Sequence, residues 1–312
     1  MKPDVLMIEP LTQEAEAELD AAYRVYRLYQ ATDRAALLAA VGPTVRAIVT
    51  GGRLGAGNDI VDALPALEII AINGIGTDAV DLERARVRSI RVTTTPDVLT
   101  EDVADLALGL MIAVSRLICV GDRFVRAGHW LGGSMPLATR VHGKRLGIFG
   151  LGRVGRAVAR RAEAFDMPIG YSERHRIDGV AYRFHPRLED LARDSDFLVI
   201  AASGGPSTRG IVGRAVIDAL GPAGILVNVS RGSVVDEEAL VAALRDGRLG
   251  GAGLDVFVHE PEVSRTLWSM DNVVLTPHRA SATVETRKAM AELVLGNLAA
   301  HFAGREPLTP VV

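Results

Sequence analysis

The sequence predicts an α/β protein of two domains, each built around a mainly parallel sheet. Short apolar segments alternate with stretches of helical length along most of the chain, which is typical of parallel strands joined by helices. These segments are almost continuously apolar, as expected for strands that are covered on both faces of a sheet. The length of 312 residues is about twice the ~150 residues typical of one domain.

The first series of strands occupies the first hundred residues. We expect strands at 5–8, 47–50, 67–72 and 92–95, with a helix at 11–23 after the first of them. Gly, Asn or Pro follows each of the three later strands, and these residues favour turns. Alternating strands and helices of this length predict a parallel sheet in the first domain.

A second series begins after residue 140. A long apolar helix is predicted over 101–120 and a loop with weak periodicity over 122–139. The second series then has a helix at 153–165 and strands at 145–149, 168–171, 197–201, 225–229, 253–256 and 273–276.

The last predicted helix, 284–302, is placed to cross back to the first domain. We therefore expect a smaller domain of residues 1–98 with 284–312 and a larger domain of residues 99–283.

Composition excludes several classes of protein. The chain has 35 basic and 38 acidic residues, a net charge of −3, and only 4% aromatic residues, which argues against a nucleic-acid-binding surface. The longest apolar run, 106–114, is well short of the ~20 residues of a membrane span. The single cysteine, Cys119, excludes an intrachain disulfide and a cysteine-based zinc site, and favours a reducing compartment, the cytoplasm.

A glycine-rich turn follows the first strand of the second series and opens a helix. Gly150 permits the sharp turn, Gly152 lets the backbone approach a pyrophosphate, and Gly155 allows close packing of helix on strand. The N–H groups of Arg153 and Val154 at the helix N-terminus would attract the phosphates. The spacing favours a dinucleotide-binding Rossmann domain over a simple turn between strand and helix.

Four polar residues at or beyond the ends of later strands are candidates for an active site. Arg231 is placed to bind a carboxylate in two-pronged fashion, although one arginine among many can also be a surface charge. Asp255 is either a functional contact or the cap of a loop. His278 with Glu260 as a carboxylate partner would protonate a carbonyl oxygen while hydride arrives on the carbon.

The joint order of these motifs resembles that of the D-isomer-specific 2-hydroxyacid dehydrogenases, and most closely their glyoxylate/hydroxypyruvate reductase branch. The resemblance covers nearly the whole chain and depends on the segments 74–78, 95–100, 150–155, 228–232, 253–257, 260–261 and 276–278. It implies a Rossmann domain, a smaller flavodoxin-like substrate domain and a cleft between them.

The resemblance also implies a role for each candidate. Arg231 would bind the carboxylate and keto oxygen of the substrate, His278 would be the general acid in reduction, and Glu260 would orient His278. The backbone N–H groups of Ile75 and Gly76 would hold the substrate carboxylate. Hydride transfer would need no metal.

Further residues are assigned to the cofactor site by the same resemblance. Asp255 would contact the nicotinamide carboxamide, and Ala280 would lie near the nicotinamide. Ser203 and Thr208 would lie near the adenosine side of the cofactor. Val229 and Arg231 are the remaining residues assigned to the cofactor site. The chain departs from the family pattern at Ala280 and at the preceding Arg279, where a methyl group and a charge are added.

The residues after the second Rossmann strand indicate which cofactor is preferred. NAD-dependent Rossmann domains usually carry an acidic residue there that accepts the ribose 2′-OH, and this position is Ser172. Arg174 would bind a 2′-phosphate and Arg176 would add charge. We expect NADP(H) to be preferred and NAD(H) to remain possible, because Glu173 would make an NAD site after a shift of one residue.

The expected reaction is reduction of glyoxylate or hydroxypyruvate to the D-2-hydroxy acid. The alternatives are reduction of bulkier 2-keto acids and a nicotinamide-sensing corepressor on the same fold. The resemblance implies a homodimer in which residues 122–139 reach across to the partner. Trp130 would then either approach the partner's substrate cleft or only pack in the interface.

Overall fold

The computed structural model describes residues 2–312, and the chain divides into two compact units. The first unit takes in the residues up to Leu99 together with Ala282–Val312, and the second unit spans Thr100–Ser281. Each unit has its own parallel sheet with helices, so the predicted α/β class is confirmed.

The sheet of the first unit has five parallel strands in the order β2-β1-β3-β4-β5, which is the flavodoxin-like order. The strands are β1 (Asp4–Met7), β2 (Arg24–Arg27), β3 (Val45–Gly51), β4 (Ile69–Asn73) and β5 (Arg91–Thr93). The helices between them are α1 (Gln13–Ala22), α2 (Arg34–Val41), α3 (Asn58–Asp62) and α4 (Leu82–Val87).

The sheet of the second unit has seven parallel strands, β6 (Leu146–Phe149), β7 (Ile169–Ser172), β8 (Arg183–Phe184), β9 (Phe197–Ile200), β10 (Ile225–Asn228), β11 (Gly251–Leu254) and β12 (Val273–Leu275). Their order, β12-β11-β10-β9-β6-β7-β8, is the 3-2-1-4-5-6 Rossmann order with one more strand. The helices are α5 (Thr100–Ser115), α6 (Ile118–Arg126), α7 (Arg153–Glu163), α8 (Leu188–Arg193), α9 (Arg214–Leu220) and α10 (Glu237–Arg245).

The last helix, α11 (Val284–Phe302), belongs to the first unit and has the bounds that the sequence predicts. It contributes Val294 and Leu298 to the apolar cluster on one face of the sheet, with Leu19 from α1. A separate cluster covers the other face. Burial of both faces explains why the strands are apolar without alternation.

The predicted helix over 101–120 is wrong, because the chain breaks at Leu117. This residue has φ +53°, in the left-handed region that ends a helix, and α5 and α6 meet at an angle of 60°. The predicted loop over 122–139 accordingly begins with the second half of α6. The break separates two environments: eight residues of α5 are buried, whereas no residue of α6 is.

No single helix in the part of the chain that the structure describes is long and apolar enough to cross a membrane. The bent pair of α5 and α6 passes that test by combined length and composition alone.

Candidate active site

Six strands of the second unit end on one line across the sheet. Parallel pairing joins their last residues in a row, in the order Ser172, Phe149, Ile200, Asn228, Leu254 and Leu275. The loop after each strand therefore begins at the same edge. Ligands of open α/β sheets bind at this carboxyl edge, where the strand order reverses, and here the reversal lies between β6 and β9.

The glycine turn after β6 has the geometry that a pyrophosphate needs. Gly150 has φ +96°, and a Cβ added there would lie 2.3 Å from the backbone nitrogen of Ala202. A Cβ at Gly155 would lie 2.0 Å from the carbonyl oxygen of Gly150, so α7 packs closely on β6. A Cβ at Gly152 would meet nothing within 4 Å, which leaves an open approach to the start of α7 at Arg153.

The same turn shows that a dinucleotide fits the chain. Val154 follows Arg153 in the first turn of α7, which has 11 residues, and the N–H groups of a first helical turn have no partner within the helix. They therefore offer donors and a positive helix end to a phosphate group.

The segment after β7 begins at Ser172, which ends the strand and is only 5% exposed. Its contact with the cofactor stays a prediction. Arg174 is exposed, and its Nη2 donates to the Ser207 hydroxyl at 3.1 Å. The Glu173 carboxylate accepts the N–H of Leu151 in the glycine turn at 2.7 Å. The roles of Leu151 and Ser207 had no signal in the sequence, because both are remote from this segment in the chain.

The loop after β9 lies beside the glycine turn. Its Thr208 hydroxyl donates to the carbonyl oxygen of Ser203 at 2.8 Å and closes the loop. Ser203 is exposed and Thr208 is half-buried. The Ser230 hydroxyl, from the loop after β10, donates to the carbonyl oxygen of Ala202 and joins the two loops.

Arg231 stands in a tight loop after β10 that Asn228 shapes. The buried Asn228 side chain donates to the carbonyl oxygen of Arg231 at 3.0 Å and accepts the N–H of Ser230 at 3.1 Å. Gly232 follows at a point where an added Cβ would lie 2.0 Å from the backbone of Phe257. Val229, in the same loop, is buried. Only glycine permits this approach between the loops after β10 and β11.

His278 and Glu260 form the predicted acid–base pair. The Nδ1 atom of His278 lies 2.7 Å from a carboxylate oxygen of Glu260, and the side chains are 32% and 14% exposed. The other Glu260 oxygen accepts the N–H of Phe257 at 3.0 Å, which fixes the carboxylate. With Nδ1 engaged, Nε2 is the ring atom that can transfer a proton to a ligand.

Asp255 holds the loop that carries His278. It is fully buried, and its carboxylate accepts the Thr276 hydroxyl at 2.6 Å and the N–H groups of Arg279 and Ala280 at 2.7 and 2.9 Å. The carbonyl oxygen of Asp255 accepts the N–H of His278 at 2.8 Å. The carboxylate thus fixes the loop that carries His278, and the contact with the nicotinamide carboxamide that the resemblance implies stays a prediction.

Ile75 and Gly76 belong to the first unit, in the loop after β4. Ile75 is 45% exposed, and neither backbone N–H donates a hydrogen bond within residues 2–312. The carbonyl oxygen of the preceding Gly74 accepts the N–H of Thr95 at 2.8 Å, which anchors the loop to the end of β5. The loop therefore offers two backbone donors on a fixed base.

Three further observations place the chain among known proteins. The family model described as "D-isomer specific 2-hydroxyacid dehydrogenase, NAD binding domain" matches residues 108–280. The chain is 51% identical over 308 residues to the hydroxyphenylpyruvate reductase of Plectranthus scutellarioides, covering 99% of this chain and 98% of that protein. It is 49% identical over 308 residues, with the same coverage, to the glyoxylate/hydroxypyruvate reductase A of Arabidopsis thaliana.

A solved structure agrees over the whole chain. The NADPH-dependent glyoxylate/hydroxypyruvate reductase from Sinorhizobium meliloti, in complex with NADP and malonate, has a TM-score of 0.92 at 42% identity, over 100% of this chain and 97% of that chain. The resemblance inferred from the motifs is therefore confirmed. The chain belongs to the D-isomer specific 2-hydroxyacid dehydrogenases and is an NAD(P)-dependent oxidoreductase.

Proposed function

We propose that the protein reduces glyoxylate or hydroxypyruvate to the D-2-hydroxy acid. The observation that carries the proposal is the hydrogen-bonded His278–Glu260 pair, which shares one sheet edge with Arg231 and the glycine turn. Reduction of a 2-keto acid needs an acid for the keto oxygen and a cation for the carboxylate, and this edge supplies both.

The bound nicotinamide would deliver hydride to the keto carbon of the substrate. His278 gives the proton on Nε2 to the keto oxygen, and the Glu260 carboxylate bonded to Nδ1 orients the ring. Arg231 binds the substrate carboxylate and polarises the carbonyl group. The N–H groups of Ile75 and Gly76 are the further donors proposed for the carboxylate. Oxidation of the hydroxy acid reverses each step.

A second candidate is the reduction of a bulkier 2-keto acid. It is favoured by the 51% identity to a protein named for hydroxyphenylpyruvate, which is slightly higher than the 49% identity to one named for glyoxylate and hydroxypyruvate.

We propose that NADP(H) is preferred. Arg174 is exposed at the carboxyl edge and held by Ser207, where its guanidinium can pair with a 2′-phosphate. The relative from Sinorhizobium meliloti that was solved with NADP is described as NADPH-dependent. Both observations support the preference that the sequence suggested.

We also propose that the protein is a cytoplasmic homodimer. The second unit exposes an apolar surface formed by α6 and the segment after it, where Trp130, Leu131 and Leu137 are 71%, 97% and 101% exposed. Exposed apolar side chains in such a group are typical of an interface. A second copy of the chain is the occupant that the resemblance implies.

The cytoplasm is proposed from the single cysteine, Cys119.

The choice of substrate can be measured directly. With NADPH in excess, we expect kcat/KM for glyoxylate or hydroxypyruvate to exceed that for hydroxyphenylpyruvate and for a 2-keto sugar acid by about tenfold or more. The reverse order would favour the second candidate, and no turnover with any 2-keto acid would reject both.

Arg231→Ala should lower kcat/KM for glyoxylate about a hundredfold, because a charge-assisted contact to the substrate is lost. Arg193→Ala is the matched control, since Arg193 is an exposed arginine of α8 paired with Asp190. The control should stay within about twofold of the wild type. A near-normal kcat/KM for Arg231→Ala would refute the assignment.

Glu260→Gln tests the acid–base pair through kcat. The variant retains a side chain that can hydrogen-bond His278, but the charge-assisted bond that orients the ring is replaced by a neutral one. Reduction of glyoxylate should therefore lose about tenfold in kcat, while the KM for NADPH stays within about twofold of the wild type. His278→Asn should depress kcat about a hundredfold or more. An unchanged kcat in Glu260→Gln would contradict the pairing.

Arg174→Ala tests the cofactor preference. The wild type should have a higher kcat/KM for NADPH than for NADH at one glyoxylate concentration. The substitution should lower the NADPH value about tenfold and leave the NADH value within about twofold, because only the 2′-phosphate contact is lost. If NADH is the better donor in the wild type, the preference is wrong.

A further inference from the structure

The segment from Glu173 to Ile177 is fastened at both of its ends. At its start, Oε1 of Glu173 accepts the N–H of Leu151 at 2.7 Å, across 22 residues of sequence. At its end, the N–H of Ile177 donates to the Tyr171 hydroxyl at 2.9 Å, and the Tyr171 side chain is fully buried. Both anchors are therefore rigid parts of the second unit: a buried strand residue and the glycine turn.

Arg174 lies between these two anchors and reaches across the sheet. It follows β7, whereas its partner Ser207 lies in the loop after β9. The strand between β7 and β9 is β6, and the glycine turn follows β6. The Arg174–Ser207 contact therefore passes over the end of the strand where the cofactor phosphates would bind. Its geometry depends on how the segment is fastened.

An acidic residue such as Glu173 is at odds with the expected preference for NADP(H), and the sequence alone could not resolve this. A carboxylate at the end of the second Rossmann strand ordinarily accepts the ribose 2′-OH and repels a 2′-phosphate. In this chain the carboxylate is instead bonded to the backbone of Leu151, a residue that is only 1% exposed. The bond satisfies a buried N–H that would be costly to leave without an acceptor. Glu173 therefore has a structural partner at the place where a ribose acceptor would be free.

We propose that Glu173 is a positioning residue rather than an acceptor for the ribose 2′-OH. Its hydrogen bond holds the segment 173–177 on the glycine turn and thereby orients Arg174 towards the cofactor. The inference rests on the proposed preference for NADP(H) and identifies a second residue that determines it. Tyr171 secures the other end of the same segment. The acidic residue then supports binding of a phosphorylated cofactor instead of opposing it.

The two roles of Glu173 predict different behaviour of two variants. Glu173→Gln retains an oxygen that can accept the Leu151 N–H but removes the charge, whereas Glu173→Ala removes the acceptor altogether. The dissociation constants of NADP⁺ and NAD⁺ are measured by titration calorimetry with the free protein, so that catalysis does not enter. Glu238→Ala, at an exposed position in α10, is the matched control.

If Glu173 positions the segment 173–177 through its bond to Leu151, the Gln variant keeps both dissociation constants within about threefold of the wild type. The Ala variant should then bind NADP⁺ about tenfold more weakly while NAD⁺ changes less than threefold, because Arg174 is no longer held in place. In the rate assay, the Ala variant should raise the KM for NADPH and leave kcat near the wild-type value.

If Glu173 is a ribose acceptor, both variants bind NAD⁺ at least tenfold more weakly and NADP⁺ as well as or better than the wild type. That result overturns the proposal. If the Ala variant does not fold, the Gln variant alone decides the question. Glu173→Gln retains an acceptor for the Leu151 N–H, so a large loss of NAD⁺ affinity in it cannot come from the loss of that bond.

Tyr171→Phe tests the other end of the segment. The ring stays in the core and only the hydroxyl bonded to Ile177 is lost, so NADP⁺ should weaken several-fold more than NAD⁺. An equal effect on both cofactors, or no effect on either, would count against the fastened segment. The ratio of the NADP⁺ and NAD⁺ dissociation constants of the wild type tests the preference itself. The proposed preference and the proposed role of Glu173 can therefore be rejected independently.

Discussion

The functional part of the second unit depends on one constraint, which is that six neighbouring parallel strands end level with one another. Their last residues pair with one another across the sheet, so each following loop starts at the same height. The glycine turn, the Arg174 segment, the Arg231 loop and the His278 loop come from separate parts of the sequence. Parallel pairing in register is what makes them neighbours.

Three carboxylates at this edge have three different tasks. Glu260 lies against the imidazole ring of His278, Asp255 holds the backbone of the loop that bears that ring, and Glu173 is bonded to the glycine turn. Each acts through its hydrogen-bond partners. A buried carboxylate such as Asp255 is tolerable only because several donors compensate for its lost hydration.

The tasks differ because the partners differ in kind. A carboxylate bonded to a ring nitrogen orients that ring, whereas a carboxylate bonded to backbone N–H groups fixes the shape of a loop. The loop of His278 also places this residue at φ +50°, an unfavourable conformation for a residue other than glycine. The hydrogen bonds that the Asp255 carboxylate accepts from Thr276 and Arg279, on either side of His278, hold the chain in that conformation.

The sequence alone determined the fold class, the glycine turn and the identity of the Arg231, Glu260 and His278 candidates. These follow from local pattern: continuous apolar strands, glycine spacing and polar residues after strand ends. Only the tertiary structure decided the break at Leu117, the burial of Ser172, the engagement of Asp255 with its own loop and the bond from Glu173 to Leu151. The physical reason is that no glycine or proline marks the helix break at Leu117. In addition, the partner of a buried polar group is set by which strands are adjacent in the sheet. Strand adjacency brings together residues that lie 22 or more positions apart in the chain, and no local pattern records it.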